Sequence, residues 1–420
     1  MKYRYRVLGM LVLLFAITYL DRVCISVAGP RIQDELGIGP VGWGWVTGIF
    51  TLSYCLFEIP TGALGDRLGP RRVITRIVLW WSAFTSITGL VHSLPALLAV
   101  RFAFGAGEAG VFPNASVVTA RWFPASQRAS IAGISLMAAQ IGGAVSPLLV
   151  IPLQVRYGWR MSFLVFGAVG VLWALAWFAW FRDSPAQKKG VGAAELAEAA
   201  LMQPSPSHAF PWGPVLRSRS VIAILALAFC YFYVYNFFLT WLHTFLVKGR
   251  HFSEGSLLYS ALPFVVAAVC NLGGGLASDA LTRRLGPSWG RRILGVGALS
   301  IGGLMTVAAM LTQDPRLTIV LLSLVYGSIT FQQAGVFGVC LDIGGRHAGA
   351  MVALMNCVAQ VGGFIGSVGY GYIVERTGSY DAPFVPMAAL LFLAAGMWSQ
   401  VDSARDACVT LPAGAVPASA

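Results

Sequence analysis

The sequence predicts an all-α integral membrane protein with twelve transmembrane helices in two pseudo-symmetric six-helix halves. Three observations carry that prediction. The first is composition: the 420 residues are 57% hydrophobic and only 11% charged, with a mean hydropathy of +0.72, whereas a soluble domain carries about 25% charged residues. A water-soluble core cannot hide that much apolar surface, so bilayer has to cover it. The second is that apolar runs of spanning length recur twelve times. The third is a single long polar connection near the middle, with sequence patterns before it that return after it.

The predicted spans follow in order. The run 7–29 is too long for the apolar region of a signal peptide and carries Asp21-Arg22, so it is read as the first spanning helix. The second, 44–65, ends in a charged turn at 62–72, and the third, 72–92, begins there. The fourth, 95–120, holds Arg101 and Glu108; the fifth, 129–152, holds Gln140; the sixth, 160–182, closes the first half. Residues 183–219 form a linker with Pro185, Lys188-Lys189, an Ala/Glu stretch and Pro204 to Pro214. The second half, 220–401, contains spans at 220–244, 256–280, 291–311, 316–340, 348–373 and 383–401, and 402–420 are a tail. Each span can cross a hydrocarbon layer of about 30 Å.

With the N-terminus placed in the cytoplasm, segments on that side hold 20 Lys and Arg and those on the other side hold 7. That bias predicts both termini in the cytoplasm. The halves echo each other: Gln140-Ile-Gly142-Gly143 returns as Gln360-Val-Gly362-Gly363, and Gly62-Ala-Leu-Gly-Asp66 returns in degraded form as Gly275-Leu-Ala-Ser-Asp279. Paired halves of this kind place a substrate site near the membrane midplane between them.

The same sequence excludes other classes. The net charge of +12 sits in short loops rather than in a basic stripe with interleaved aromatics, so no nucleic-acid partner is expected. Seven cysteines form no CxxC pair and five histidines lack metal-ligand spacing, so no metal and no cofactor are expected. No nucleophile motif supports an enzyme.

Gly62-Ala-Leu-Gly-Asp66-Arg67-Leu-Gly69-Pro-Arg71-Arg72 is the most specific stretch. Its glycines allow close approach and chain reversal, and its arginines hold the turn on the cytoplasmic face. The pattern resembles the signature between the second and third helices of the major facilitator superfamily of secondary transporters. The resemblance implies two six-helix halves and a cytoplasmic gate built on Gly62, Asp66, Arg67, Gly69, Arg71 and Arg72.

An ionisable group within a membrane helix costs about 2.5–3.5 kcal/mol on insertion scales. Five lie deep in the first half: Asp21, Arg22, Glu58, Arg101 and Glu108. The second half offers neutral groups instead, among them Asn236, Asn271, Gln332, Gln333, Asn356 and Gln360. Charge handling is thus expected in the first half, and reading of hydroxyls and amides in the second. Arg22 is a fixed fork for a carboxylate, or else an internal partner for an acid. Asp21 is turned about 100° from it and is expected to face a neighbouring helix or the cytoplasm-facing gate. Arg101 and Glu108 lie seven residues apart, on one helix face and about 10 Å from each other. Glu108 is a candidate proton carrier or a structural ion-pair member. Glu58 is a second proton site or a paired strut, and Tyr54 shares its face.

Tyr19-Leu-Asp21-Arg22, Phe57-Glu-Ile-Pro60, Gly105-Ala-Gly-Glu108-Ala-Gly-Val-Phe-Pro113-Asn114, Trp122-Phe-Pro124 with Arg128, and Thr240-Trp-Leu242 are similar to the anion:cation symporter branch of that superfamily. The branch includes carriers of galactonate, hexuronates and glucarate. The resemblance implies that Arg22 binds the substrate carboxylate, that Asp21 and Glu108 take the coupling proton, and that Arg101 pairs with Glu108. It adds Tyr54, Asn236 and Asn356 as substrate contacts, with Gln140, Gln360 and Gln332 as further candidates.

The expectation is therefore an importer of a small organic anion, a sugar acid such as a hexuronate or aldonate, by proton symport through alternating access. It would work as a monomer in the inner membrane, with the bilayer and the anion as its partners. The alternatives are an exporter or exchanger of a drug, dicarboxylate or organophosphate, or a non-transporting sensor.

Overall fold

A computed structural model describes residues 2–188, 190–192, 195–196, 198, 212–253, 259–344 and 347–402. The tail from 403 onward and most of the linker lie outside the described residues, as do the side chains of Ala63, Asp66, Ala125, Ser126, Ala129, Trp212, Pro214, Leu216, Pro287 and Ala348.

The described chain is helical throughout. Its long helices are α1 (Arg4–Leu36), α2 (Pro40–Leu68), α3 (Pro70–Thr88), α4 (Leu94–Trp122), α5 (Ala125–Tyr157), α6 (Trp159–Trp180), α7 (Arg219–Thr240), α8 (Leu262–Leu285), α9 (Pro287–Leu311), α10 (Pro315–Gly344), α11 (Ala348–Thr377) and α12 (Phe384–Trp398). Among the described residues, nine helices are long and apolar enough to cross a membrane. The predicted spans fall on the twelve helices in order; α3, α7 and α12 stop three or four residues short of their predicted ends and α8 starts six residues late, whereas α1, α2 and α5 run several residues past both predicted ends. Those extra turns are polar, so hydropathy alone does not reach them; α1, for example, continues through Arg31 to Leu36.

Helices reverse at residues suited to doing so. Gly37 ends α1 with φ 63°. Gly69 separates α2 from α3 with φ 83°, and Pro70 then opens α3. Both glycines adopt a conformation that side-chain-bearing residues resist. The bundle therefore has two ends. The linker end carries the start of α1 and the turn between α2 and α3; the opposite loop end carries the turns α1–α2 and α3–α4.

Large apolar side chains cover the lipid-facing surface, Leu172, Val269 and Leu311 among them, each more than 60% exposed. Between helices, small residues allow the close approach that replaces the hydrophobic effect inside a bilayer. The repeated sequence shows this in both halves. A Cβ on Gly142 would collide with the Ala16 backbone carbonyl of α1, and one on Gly362 with the Phe229 carbonyl of α7. The repeat therefore marks equivalent crossings, α5 on α1 and α11 on α7.

The halves meet along α2 and α11 and along α1 and the end of α7. At the loop end Gln33 donates to Thr244 (2.9 Å) and Lys248 pairs with Asp34 (2.8 Å). The α2–α11 seam runs from Pro40 against Gly371, past Gly44 against Ser367, to Glu58 against Asn356.

Candidate substrate site between the halves

The site is built on α1, α2 and α4. Arg22 projects about five turns along α1. Glu108 ends the first segment of α4, which breaks at Ala109–Gly110 and resumes at Val111. Gly110 holds φ 93°, and a Cβ there would crowd Thr61 of α2 at 2.6 Å. The glycine thus allows both the break and the α2 contact, leaving Glu108 on the last turn before the break.

Arg22 Nε donates to Glu108 Oε1 at 2.5 Å, with 6% and 1% of the two side chains exposed. Arg22 Cζ lies 4.8 Å from the Tyr54 ring centroid, 5.3 Å from that of Phe50 and 5.4 Å from that of Tyr19. Arg101 Cζ lies 4.9 Å from the same Phe50 ring and 4.8 Å from Phe104. One phenyl ring therefore sits between two guanidiniums. Buried cations over aromatic faces gain roughly 2 kcal/mol each, well short of the cost of burial without an anion.

The pairing corrects one expectation: the partner of Glu108 is Arg22, not Arg101. Seven residues along one helix leave Arg101 about 10 Å from Glu108, while α1 brings Arg22 alongside. Arg101 is instead buried over two phenyl rings. Asp21 points away from Arg22, as adjacent helical residues must, and its neighbour is Trp81 of α3. Several buried polar atoms lack a hydrogen bond among the described residues: Arg22 Nη2, Arg101 Nε, Glu108 Oε2 and both Asp21 oxygens. In a dry interior such groups are costly.

The neutral candidates divide into two sets. Gln140 lies between the halves, accepting from Tyr326 Oη at 3.2 Å and donating to Tyr235 Oη at 3.4 Å. Gln360, on α11, is buried. Asn356 donates to both Glu58 oxygens at 2.6 and 2.7 Å, which ties α2 to α11 across the halves. Asn236, by contrast, donates to Gly363 O (3.0 Å) and Ser367 Oγ (2.6 Å) within the second half. Gln332 accepts from the Trp398 indole at 3.1 Å. Both amides spend bonding capacity on their own half.

The turn between α2 and α3 is anchored at the linker end. Asp183 accepts from Arg71 N at 2.7 Å, and Arg71 Nε donates to Phe178 O at 2.9 Å. A Cβ on Gly62 would meet Pro113 at 3.1 Å, and one on Gly65 would strike Asn114. The motif's glycines therefore fit α2 against the second segment of α4. Arg67 and Arg72 are exposed, and the Asp66 side chain lies outside the described residues.

Sequence reasoning missed the hydroxyl bridge between the halves, in which Tyr19 and Tyr235 hydroxyls meet at 3.1 Å. It also missed buried His243, held by Ser26 (3.1 Å) and Ser260 (2.7 Å). The only signal for Tyr19 was its place three residues before Arg22.

Similar proteins agree with this architecture. The sequence pattern of the Major Facilitator Superfamily matches residues 11–367. A probable sulfoacetate transporter of Cupriavidus necator is 35% identical over 398 residues, covering 93% of this chain and 92% of the relative. A hexuronate transporter of Bacillus subtilis is 29% identical, covering 90% of each. A probable galactarate/D-glucarate transporter of Escherichia coli is 28% identical, covering 91% of this chain and 89% of the relative. Among solved structures, an inward-facing, occupied bacterial homolog of the human lysosomal transporter Spinster superposes with a TM-score of 0.75, covering 95% of this chain and 97% of that one at 21% identity, a likeness in fold. The chain belongs to the Major Facilitator Superfamily and is a multi-pass membrane transporter, not an enzyme.

Proposed function

We propose that the protein imports a small organic anion together with protons through alternating access at the site around Arg22. The observation that carries this reading is the buried Arg22–Glu108 pair. Glu108 occupies the fork that a substrate carboxylate or sulfonate would take. An entering anion that claims Arg22 leaves Glu108 buried without its cation, which is costly, and a proton on Glu108 removes that cost. Anion entry and proton uptake are thereby linked at one pair. Asp21 and Arg101 bring a second carboxyl and a second guanidinium into the same cluster, and the fixed forks suit oxyanions better than cations.

The reading favours a compact anion of the sulfoacetate class. It is supported by the 35% identical relative and by Asn236 and Gln332, whose amides are engaged within the second half. A sugar acid is the second reading, supported by the hexuronate relative and by Gln140 and Asn356 at the boundary between the halves. With the N-terminus inside an inner membrane, the linker end faces the cytoplasm and one chain suffices for transport. The test is uptake into proteoliposomes under an inward proton gradient, with sulfoacetate and a hexuronate supplied separately. Gradient-driven accumulation of sulfoacetate supports the reading; accumulation of the hexuronate alone favours the second, and accumulation of neither overturns both.

A further inference from the structure

Two half-buried cysteines from opposite halves face each other across the α2–α11 seam. The Cys55 thiol donates to Cys357 O at 3.4 Å, and the Cys357 thiol lies 4.0 Å from Cys55 O. Each sulfur reaches the other residue's own carbonyl, so the two residues lie side by side. Asn356, adjacent to Cys357, and Glu58, about one turn from Cys55, join the same helices at 2.6 Å. Gly44 and Gly48 bring α2 tightly against Ser367, Val368 and Phe364 of α11, so the register between the thiols is fixed from both sides. Cys24, Cys230 and Cys340 are buried, and the transport reading has no use for a thiol pair.

We propose that Cys55 and Cys357 form a redox modification site whose oxidation by a peroxide latches the two halves together. The Cys55 thiolate attacks one peroxide oxygen; the O–O bond breaks, giving a sulfenic acid and hydroxide, which takes up a proton to become water. The Cys357 sulfur then attacks the Cys55 sulfur, the S–O bond breaks, and a second water leaves. Two thiols and one hydrogen peroxide yield one disulfide and two waters, with two electrons passing from sulfur to the peroxide. Hydrogen peroxide is small and uncharged, so it can enter the bilayer. The resulting bond would tie the middle of α2 to α11. The latch rests on the rocking of the halves in the proposed function, whereas the bond itself does not.

The test uses the full chain carrying a protease site inserted in the linker. After peroxide and cleavage, the halves should run as one band on a non-reducing gel and separate with dithiothreitol. Cys55→Ser and Cys357→Ser should each give separate halves. Separation of the peroxide-treated native-cysteine protein, or sulfinic acid on Cys55 without a cross-link, would overturn the site. Hydrogen exchange then tests the latch without a substrate: in the oxidised protein, amides of 44–62 and 348–366 should exchange at least about threefold more slowly. A cross-link with unchanged exchange would overturn the latch and leave transport by the site around Arg22 untouched.

Discussion

Arg22 and Glu108 form an ion pair across α1 and α4 through Arg22 Nε and Glu108 Oε1, and the buried Nη2 of the arginine and Oε2 of the glutamate have no hydrogen bond among the described residues. A pair that existed only for stability would gain from satisfying both atoms. The two residues compensate each other's charge, so the predictions for them are linked.

Arg22→Ala should weaken anion binding at least about tenfold, since a charge-assisted hydrogen bond contributes roughly 1.5–3 kcal/mol. It should also lower thermal stability, because it strands Glu108. Adding Glu108→Gln should restore most of the stability and none of the binding. Arg22→Lys should recover little, having lost the planar fork. Isothermal titration with sulfoacetate and a thermal-unfolding assay separate the two effects; unchanged affinity in Arg22→Ala would remove the arginine from the substrate site.

Gly142→Ala and Gly362→Ala should each cost about 1–3 kcal/mol, the range for overpacking, because the new methyl meets a backbone carbonyl that cannot swing aside. Gly9→Ala serves as the control. It lies within α1 with nothing within 4 Å of its would-be Cβ, so it should be neutral or stabilising by about 0.5–1 kcal/mol. Equal melting temperatures for all three variants would contradict the crossings described above.

The linker clasps the start of α1. Glu195 accepts from Tyr3 N (2.9 Å) and Arg4 N (2.7 Å), while Glu198 pairs with Lys2 (2.9 Å) and Arg4 (2.6 Å). Hydrogen bonds from Lys2 and then Arg4 hold the Glu198 carboxyl below the usual carboxylate range. A lowered acid contributes attachment above its ordinary value of about 4.3, and that contribution is lost as pH falls through the lowered value. Protease nicking of the linker should therefore accelerate only in strongly acidic buffer with an acid-tolerant protease, and Glu198→Gln should nick faster at neutral pH. Identical nicking of variant and parent at neutral pH would refute the clasp.

The helix count, the order of the spans and the two-half design were legible because each rests on local composition. The five deep charges were legible too, since each is expensive where it stands. Their partners were not. The distance from Arg101 to Glu108 along one helix could be computed from the sequence, whereas the approach of Arg22 depends on how α1 packs beside the break at Gly110. The amides show the same limit: nothing local distinguishes Asn236, turned to Gly363 and Ser367, from Asn356, turned to Glu58 across the seam. Sequence shows which groups are costly, and packing decides who compensates them.

Asp66→Asn should slow transport much more than it weakens binding. Asp66 sits in the last turn of α2, in a motif whose Gly65 lies against Asn114 and whose Arg71 is anchored to Asp183. The expected role is to fasten helix ends in one state, which affects rates rather than affinity. Binding by titration and uptake rate in the same preparation form the check, and an unaltered rate at normal expression would count against a gate.

Glu108→Gln should uncouple anion from proton. The amide keeps the shape of the protonated acid and carries no charge, so it no longer competes for the Arg22 guanidinium. Anion affinity at neutral pH should equal or exceed that of the parent, and its dependence on pH should shrink. Exchange of anion for anion needs no net proton movement, so counterflow should persist. Accumulation against a gradient does need it, so proton-driven uptake should vanish. Both are measured in the same proteoliposomes with sulfoacetate. Retained accumulation would move the coupling role to Asp21, which is buried on the same turn of α1 with both oxygens unbonded, or to Glu58. Loss of counterflow together with accumulation, in a folded protein, would mean that the Arg22–Glu108 pair serves to hold α1 against α4.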